Sequence, residues 1–295
     1  MATTDLMTAL PVSEVTFMPQ WRQEFSRQAG GTPRVSDIGP EVWMAKIAAG
    51  IMGNDDAEST AALINQMRGS LGTFYVWNPR RQYPRMDADG SIIGSSVVTI
   101  YALDADTRYL RLEGLPVGYV IKRGDFLSWD QGSSPVHRRL HQFMADATAD
   151  GAGRIALTEV APHIAAGASA TVASVITITI ASPAVVSWTA HGLVAGREVK
   201  FSTTGALPTG IVAGTTYYVI AAGLATDNFR IAATVDGAAI NTSGTQSGTH
   251  TGTAPGLTIS LKRPAAEMMI LPGSYDFPSA GSTVSSISFT AIQIP

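Results

Sequence analysis

Alternating apolar and polar positions predict that this chain is built mainly from short β-strands. Runs rich in β-branched and aromatic residues are separated by turn residues at intervals of about ten residues, a spacing typical of sandwiches and barrels. An early turn is expected at Gly30-Gly31-Thr32-Pro33, because Gly and Pro interrupt regular elements. The predicted strands lie at 15–18, 40–47, 73–77, 97–102, 109–112, 119–121, 126–129, 138–143 and 155–160.

One segment carries the period of an amphipathic α-helix. Its apolar residues recur at spacings of three and four, which places them on one face. Asn54, Asp55 and Asp56 offer N-caps and put negative charge in the first turn, where the helix dipole favours it. Glycines 69 and 72 are available to end the helix. We predict a helix from about 55 to 69 whose apolar face packs on a sheet and contains Ala57, Ala61, Ile64, Met67 and Leu71.

The middle of the chain differs in composition from the two ends. Only six residues between 175 and 253 are charged, whereas 15% of the whole chain is charged. No methionine occurs between Met144 and Met268, and the segment consists largely of Thr, Ala, Gly, Val and Ile with repeated turn signals. These features predict a small all-β module at 175–253, inserted between two strands of another domain.

The C-terminal segment 254–295 is expected to complete the domain that begins with 1–174. A strand is predicted at 257–261, and the last residues alternate so that Ile287, Phe289, Ala291 and Gln293 share one face. About forty residues cannot bury much of a core by themselves. The predicted fold class is therefore mainly β: a split β-barrel or sandwich with one α-helix, plus the inserted small all-β domain.

Charge and composition narrow the range of partners. The chain has 20 Lys and Arg against 23 Asp and Glu, a net charge of -3, which removes the usual electrostatic case for nucleic acid or an anionic membrane. The uncharged segment 164–196 alternates and is interrupted by Pro183, so we expect strands there and no membrane insertion. A charged fraction well below the typical ~25% also suggests surfaces covered by neighbouring subunits, because interface centres are depleted in charge.

No residue pattern predicts an enzyme, a metal site or a cofactor. Cysteine is absent, which excludes a zinc-thiolate site and a thiol nucleophile. His137 and His141 could share a metal on a helix, but their surroundings alternate as a strand, which puts them about 13 Å apart. No nucleophile elbow, Walker loop or dinucleotide fingerprint is present.

Several aspartates are candidates for catalytic or calcium-binding groups. The sequence Asp87-Ala88-Asp89-Gly90 resembles the start of a calcium loop but lacks a closing Glu. Six others could supply paired carboxylates for hydrolysis. We expect turn chemistry from them instead, because Asp readily bonds to nearby backbone amides. They are Asp104, Asp106, Asp125, Asp130, Asp146 and Asp150.

Two groups of residues are candidates for contacts with other molecules. Arg80, Arg81 and Arg85 lie in a basic-aromatic loop and are expected to pair with acidic groups of a neighbouring subunit. In the module, Trp188, Tyr217 and Tyr218 could stack on host glycan, or they could form the module's core. Because Tyr217 and Tyr218 are adjacent on a predicted strand, only one of them can point into the core with Trp188.

The module resembles a known type of small β-domain. Its characteristic stretches are 176–193, 203–210, 214–220 and 237–250. They are similar to a module that recurs, often in several copies, in structural proteins of tailed bacteriophages and prophages.

The flanking domain resembles the distal tail proteins of long-tailed phages. The resemblance is carried by Trp77-Asn78-Pro79-Arg80, by 121–127, by 145–162 and by 288–292. These proteins form a ring, commonly hexameric, at the end of the tail tube and are built on a split β-barrel with a helix. This chain departs from the pattern because the module at 175–253 stands where the family carries a carbohydrate-binding-like C-terminal domain.

The resemblance implies a function without catalysis. It implies a subunit of a hexameric ring in the virion that contacts the tail tube protein and the hub and tip proteins. An alternative is a receptor-binding or adhesion protein of the tail whose module contacts host surface glycan. A tail-associated glycan hydrolase is a third class, but the sequence offers no active-site constellation for it.

Overall fold

The computed structural model describes residues 6–27, 30–132, 135–277 and 284–294. The chain forms two compact units, one made of Met1–Ser169 with Leu257–Pro295 and the other of Ala170–Gly256. We call them the split domain and the inserted barrel. The chain leaves and re-enters the split domain at adjacent points, because the Leu257 amide donates to the Ser169 carbonyl at 2.9 Å. The second unit contains the whole of the segment 175–253.

Strands account for most of the regular structure, which confirms the predicted mainly-β fold with barrels. In chain order the elements are α1 Leu6–Ala9, β1 Val12–Arg27, β2 Pro33–Ala49, β3 Met52–Gly53, α2 Asn54–Gln66, a 3₁₀ turn Gly69–Leu71, β4 Phe74–Trp77, β5 Val98–Leu103, β6 Tyr109–Glu113, β7 Val120–Ile121, β8 Phe126–Gln131, β9 His137–Phe143, β10 Ala147–Thr148, β11 Thr158–Ala161, β12 Val172–Ile178, β13 Val186–Ser187, β14 Glu198–Thr203, β15 Thr216–Ile220, β16 Asn228–Ala232, β17 His250–Ala254, β18 Thr258–Ile259, β19 Ala265–Ile270, β20 Val284–Ser285 and β21 Ser288–Gln293.

A five-stranded antiparallel sheet brings the two ends of the chain together, in the order β1-β2-β21-β19-β4. The C-terminal strand β21 pairs with β2 from Met44↔Ile292 to Ala48↔Ser288. The predicted alternation in the last strand is confirmed, because Phe289 and Ala291 are buried in the main core between the sheet and α2. The C-terminal segment therefore supplies two inner strands to a sheet that the N-terminal segment begins.

The helix α2 has the predicted apolar face with one correction. Ala57, Ala61, Ile64 and Met67 are buried. Leu71, however, is 66% exposed, because the helix ends at Gln66 and the following 3₁₀ turn carries Leu71 off the apolar face. The N-cap is Gly53, with no side-chain cap, and Asp55 and Asp56 lie inside the first turn.

A second sheet of the split domain curls until its edges meet. Its order is β18-β5-β6-β11-β9-β8. The edges are joined by two backbone hydrogen bonds between Ser128 and Ser260, of 3.0 and 2.7 Å. Fully buried apolar side chains such as Leu110, Leu127 and Phe143 belong to its strands. One strand begins later than predicted. The sequence pattern predicts a strand at 155–160, but the observed strand β11 begins at Thr158.

The inserted barrel is a closed six-stranded barrel in the order β12-β13-β16-β15-β14-β17. Its interior is filled by one apolar cluster that includes Trp188, Phe201, Tyr217 and Phe229. Gly252 lies directly against the indole of Trp188, since a Cβ at this glycine would come within 2.8 Å of the ring. This close approach explains why β17 carries glycine at that position.

Candidate functional site: a hairpin arm and the groove at its base

The strands β1 and β2 continue beyond the five-stranded sheet as a two-stranded arm, which we define as residues 20–27 and 30–40. β21 pairs with β2 only from Met44 to Ala48. The β1–β2 register nevertheless runs on to Arg27↔Pro33. Among the described residues, the outer halves of these two strands therefore pair only with each other.

Large apolar side chains of the arm are open to solvent. Trp21 and Phe25 are 62% and 59% exposed, and Val35 and Ile38 are 57% and 67% exposed. Phe25 lies directly opposite Val35 in the register, so the two form one cross-strand apolar pair near the tip. Exposed apolar side chains that lie side by side, as Phe25 and Val35 do, are typical of interaction sites in soluble proteins.

The arm joins the sheet through an irregular segment. The register shifts twice, between Gln20 and Arg22 and again between Arg22 and Gln23. Bulges bend a strand and re-aim its side chains. Trp21 lies within the first shift, at the point where the arm leaves the sheet. Trp21 also lines the neighbouring groove, so the irregular segment and the groove share this residue.

A groove of about 350 Å³ lies beside the base of the arm and is lined by Trp21. Its floor contains Phe17, Trp43 and Phe126, whose ring centroids are 5.7 to 6.0 Å apart. Trp43 is held in place because its Nε1 donates to the Leu140 carbonyl at 3.0 Å. Phe17 and Phe126 are only half-buried, so the groove presents open aromatic surface.

The groove also carries charged side chains. Glu41 and Glu159 supply two carboxylates, and Arg108 and His163 also line the groove. His163 Nδ1 is 3.8 Å from Glu41 Oε1. The groove can therefore hold an apolar side chain on its floor and a cationic group beside its carboxylates.

The aromatic residues of the inserted barrel do not form a three-ring glycan platform. Trp188 and Tyr217 are each 4% exposed and belong to the barrel core. The Tyr217 hydroxyl accepts a hydrogen bond from the Val212 amide at 2.8 Å. Tyr218 lies on the opposite face of β15 and is half-buried. Of the three candidates, only Tyr218 presents part of its ring to solvent.

The three candidate arginines differ in the contacts that their side chains make. Arg80 and Arg81 are exposed, as a subunit contact requires. Arg85 is also exposed but is engaged within its own chain, and its contact with a neighbouring subunit stays a prediction. Its Nε lies 3.5 Å from the buried carboxylate of Asp125, and its guanidinium also donates to the Arg123 carbonyl.

The two histidines of β9 have separate structural roles. His137 Nδ1 lies 3.1 Å from the buried Glu267. His141 is stacked on Trp129 with ring centroids 4.1 Å apart, and its Nδ1 donates to the Pro162 carbonyl at 2.7 Å. Burial lowers the pKa of His141 to about 4. His141 is therefore a neutral core residue at ordinary pH.

Most of the candidate aspartates organise turns, as predicted. Asp104, Asp106, Asp146 and Asp150 each accept hydrogen bonds from nearby backbone amides. The backbone hydrogen bond from Arg123 is the main cause that lowers the pKa of Asp146. The backbone hydrogen bond from Arg154 is the main cause that lowers the pKa of Asp150.

Asp130 is an exception to the turn prediction. It lies within β8 and forms a two-point ion pair with Arg138, with nitrogen–oxygen distances of 2.7 and 2.8 Å. The hydrogen bond to Asp130 raises the pKa of Arg138.

The loop that resembled a calcium site is built around a buried carboxylate. Asp87 accepts hydrogen bonds from the Ile92 and Ile93 amides, each at 3.0 Å, and from the Tyr119 hydroxyl at 3.2 Å. Burial, together with the charge of Asp87, raises the pKa of Tyr119. Within the described ranges, no group of three or more His, Asp or Glu side chains could hold a metal ion.

The arm was not anticipated as a functional element, although the sequence contains a signal for it. The Gly-Gly turn at 30–31 separates two segments that each carry large apolar residues, Trp21 and Phe25 before it and Val35 and Ile38 after it. A hairpin could be inferred from that pattern. The exposure of the hairpin could not be inferred from the sequence, because it depends on where the other strands of the sheet end.

Comparisons with known proteins identify no family for this chain. No protein-family model matches the chain, and a search of curated proteins found no match. In the part of the chain that the structure describes, no helix combines the length and apolar character needed to cross a membrane.

Proposed function

We propose that this protein is a structural subunit of a tailed-phage virion, a distal-tail-type ring subunit that connects the tail tube to the tail tip or baseplate. The resemblance of both the split domain and the inserted module to phage structural proteins supports this role. A mainly-β split domain with one principal helix is consistent with it. Its partners would be further copies of the chain in a hexameric ring, the tail tube protein and the hub and tip proteins.

The exposed apolar arm is the observation that carries the proposal. A closed ring requires a heterologous contact, in which one surface of a subunit meets a different surface of the next. The arm can supply one such surface, because Trp21, Phe25, Val35 and Ile38 are open to solvent on a pair of hydrogen-bonded strands. Packing against a neighbour would remove these side chains from water, which favours assembly.

The alternative role as an adhesion protein receives less support. A glycan platform needs at least two open ring faces, and burial of Trp188 and Tyr217 leaves only Tyr218 among the candidates. We therefore propose a structural role for the inserted barrel within the virion, and no catalytic role for the chain.

The mass of the purified full-length chain in solution separates these functions. Native mass spectrometry and light scattering over a range of concentrations are expected to give a closed ring of about six copies. A trimer would favour the adhesion protein. A monomer at all accessible concentrations would overturn the ring proposal.

A further inference from the structure

We infer that the groove at the base of the arm receives the arm tip of a neighbouring copy. This inference rests on the proposed ring and names the two surfaces that would form its contact. The donor surface is the tip with Phe25, Arg27, Arg34 and Val35. The acceptor surface is the groove with Glu41, Glu159 and the aromatic floor defined above.

The apolar parts of the two surfaces match each other. Phe25 and Val35 form an exposed cross-strand pair, and neither side chain packs in the core of its own chain. The groove offers the half-buried rings of Phe17 and Phe126 beside the buried Trp43. Inserting Phe25 would place it among rings that already meet at tilted and edge-to-face angles, an arrangement that aromatic side chains favour.

The charges of the two surfaces are complementary. The tip carries Arg27 and Arg34; the nearest acidic residues are Glu24 on β1 and Asp37 on β2, and Asp37 accepts a hydrogen bond from Gln23 at 2.8 Å. The guanidinium of Arg27 lies 6.0 Å from the Phe25 ring centroid, so the cation and the ring are presented together. On the groove, the two carboxylates of Glu41 and Glu159 stand beside one arginine, Arg108, and one histidine, His163, whose Nδ1 lies 3.8 Å from Glu41. A basic tip therefore meets an acidic groove, which fixes the orientation of docking.

The arm cannot fill the groove of its own chain. Trp21 lines the groove, and Arg27 at the tip lies roughly 20 Å further along the extended strand, at about 3.4 Å per residue. Folding the tip back would break the continuous pairing from Gln23↔Asp37 to Arg27↔Pro33. The tip therefore does not reach the groove of its own chain, whereas a second copy supplies a tip of complementary charge.

Charge reversal on each surface, followed by mixing, tests this contact. One variant carries Arg27→Glu and Arg34→Glu, and the other carries Glu41→Lys and Glu159→Lys. Each variant alone is expected to assemble at least tenfold more weakly than the unaltered protein, because every contact sets like charges against each other. An equimolar mixture is expected to regain assembly, since alternating copies then pair opposite charges at every contact.

A matched control and two measurements keep the test decisive. Arg68→Glu with Lys200→Glu reverses two exposed cations that lie off the arm and off the groove, and it should leave assembly unchanged. Thermal unfolding of each variant checks that the fold is retained, and native mass spectrometry counts the copies and their composition. Mixed rings with equal numbers of the two variants would support the inference.

The results that would contradict the docking of the tip differ from those that would contradict the ring. If both charge-reversed variants assemble as well as the unaltered protein, or if the mixture does not recover, the tip does not dock in this groove and the inference is overturned, while the ring itself stands. If the unaltered protein forms no ring, the proposed function fails first. If the groove instead binds a tail tube or tip protein, each charge-reversed variant alone forms a ring as the unaltered protein does, and mixing the two changes nothing.

Discussion

Replacing both Trp21 and Phe25 with serine is expected to dissociate the assembled protein into single chains that remain folded. Both side chains are about 60% exposed in the single chain, so their removal leaves the core of the split domain intact. Both also lie on the arm, where a neighbouring copy would cover them. The measurement is the mass in solution as a function of protein concentration, together with thermal unfolding of the variant.

The expected loss of affinity is large because aromatic rings dominate interface energetics. A buried aromatic side chain removes 150–250 Å² from water. With about 60% of that area left for the interface, each ring contributes roughly 2–4 kcal/mol at about 25 cal/mol per Å². Loss of both rings therefore weakens each contact by about a thousandfold or more.

A control variant separates the arm from general surface effects. Ile51 and Leu71 are 78% and 66% exposed and lie outside the arm. Their replacement by serine removes comparable exposed apolar surface and should leave the assembly intact. An unchanged mass for the Trp21 and Phe25 variant, or equal loss in the control, would contradict the role given to the arm.

Replacing Trp188 with alanine is expected to reduce the free energy of unfolding of the inserted barrel by about 3–5 kcal/mol, the usual cost of truncating a large buried aromatic residue. Trp188 is buried beside Phe229, with ring centroids 6.3 Å apart, and it packs directly on Gly252. Removal of the indole leaves a cavity against Gly252, which has no side chain to fill it. Hydrogen exchange of amides in 170–256 measures the loss for this unit within the full chain.

The two adjacent tyrosines provide the matched control for this prediction. Tyr217→Ala should also be strongly destabilising, because the ring is in the core and its hydroxyl bonds the Val212 amide. Tyr218→Ala should be nearly silent, because this ring lies on the outer face of β15. A silent Trp188→Ala variant, or equal effects of the two tyrosines, would contradict the described core.

Local sequence pattern predicts much of this fold because strands and helices are recognised by short-range periodicity. The strand predicted at 138–143 is observed at His137–Phe143, and the helix predicted at 55–69 is observed at Asn54–Gln66. Leu71 shows where periodicity stops being informative. Its spacing fits the helix, but the chain leaves the helix before reaching it, so its side chain is exposed.

The candidate site was less predictable because it depends on contacts between distant parts of the chain. Arg85 looks free in the sequence, yet it meets Asp125 forty positions later along the chain. The groove joins β1 and β2 to segments around 126 and 159–163. The sequence also left open whether Trp188 belongs to a core or to a binding surface, and only closure of the barrel around it decides this.

Imaging of the assembled tailed particle that incorporates this chain tests the central claim most directly. A small tag in the exposed turn at Asp236 of the inserted barrel marks each copy without altering either core. We predict that the label forms a ring of about six positions, as cyclic symmetry allows, at the junction of the tail tube and the tail tip. Label at the ends of tail fibres, or particles that carry none, would contradict the account.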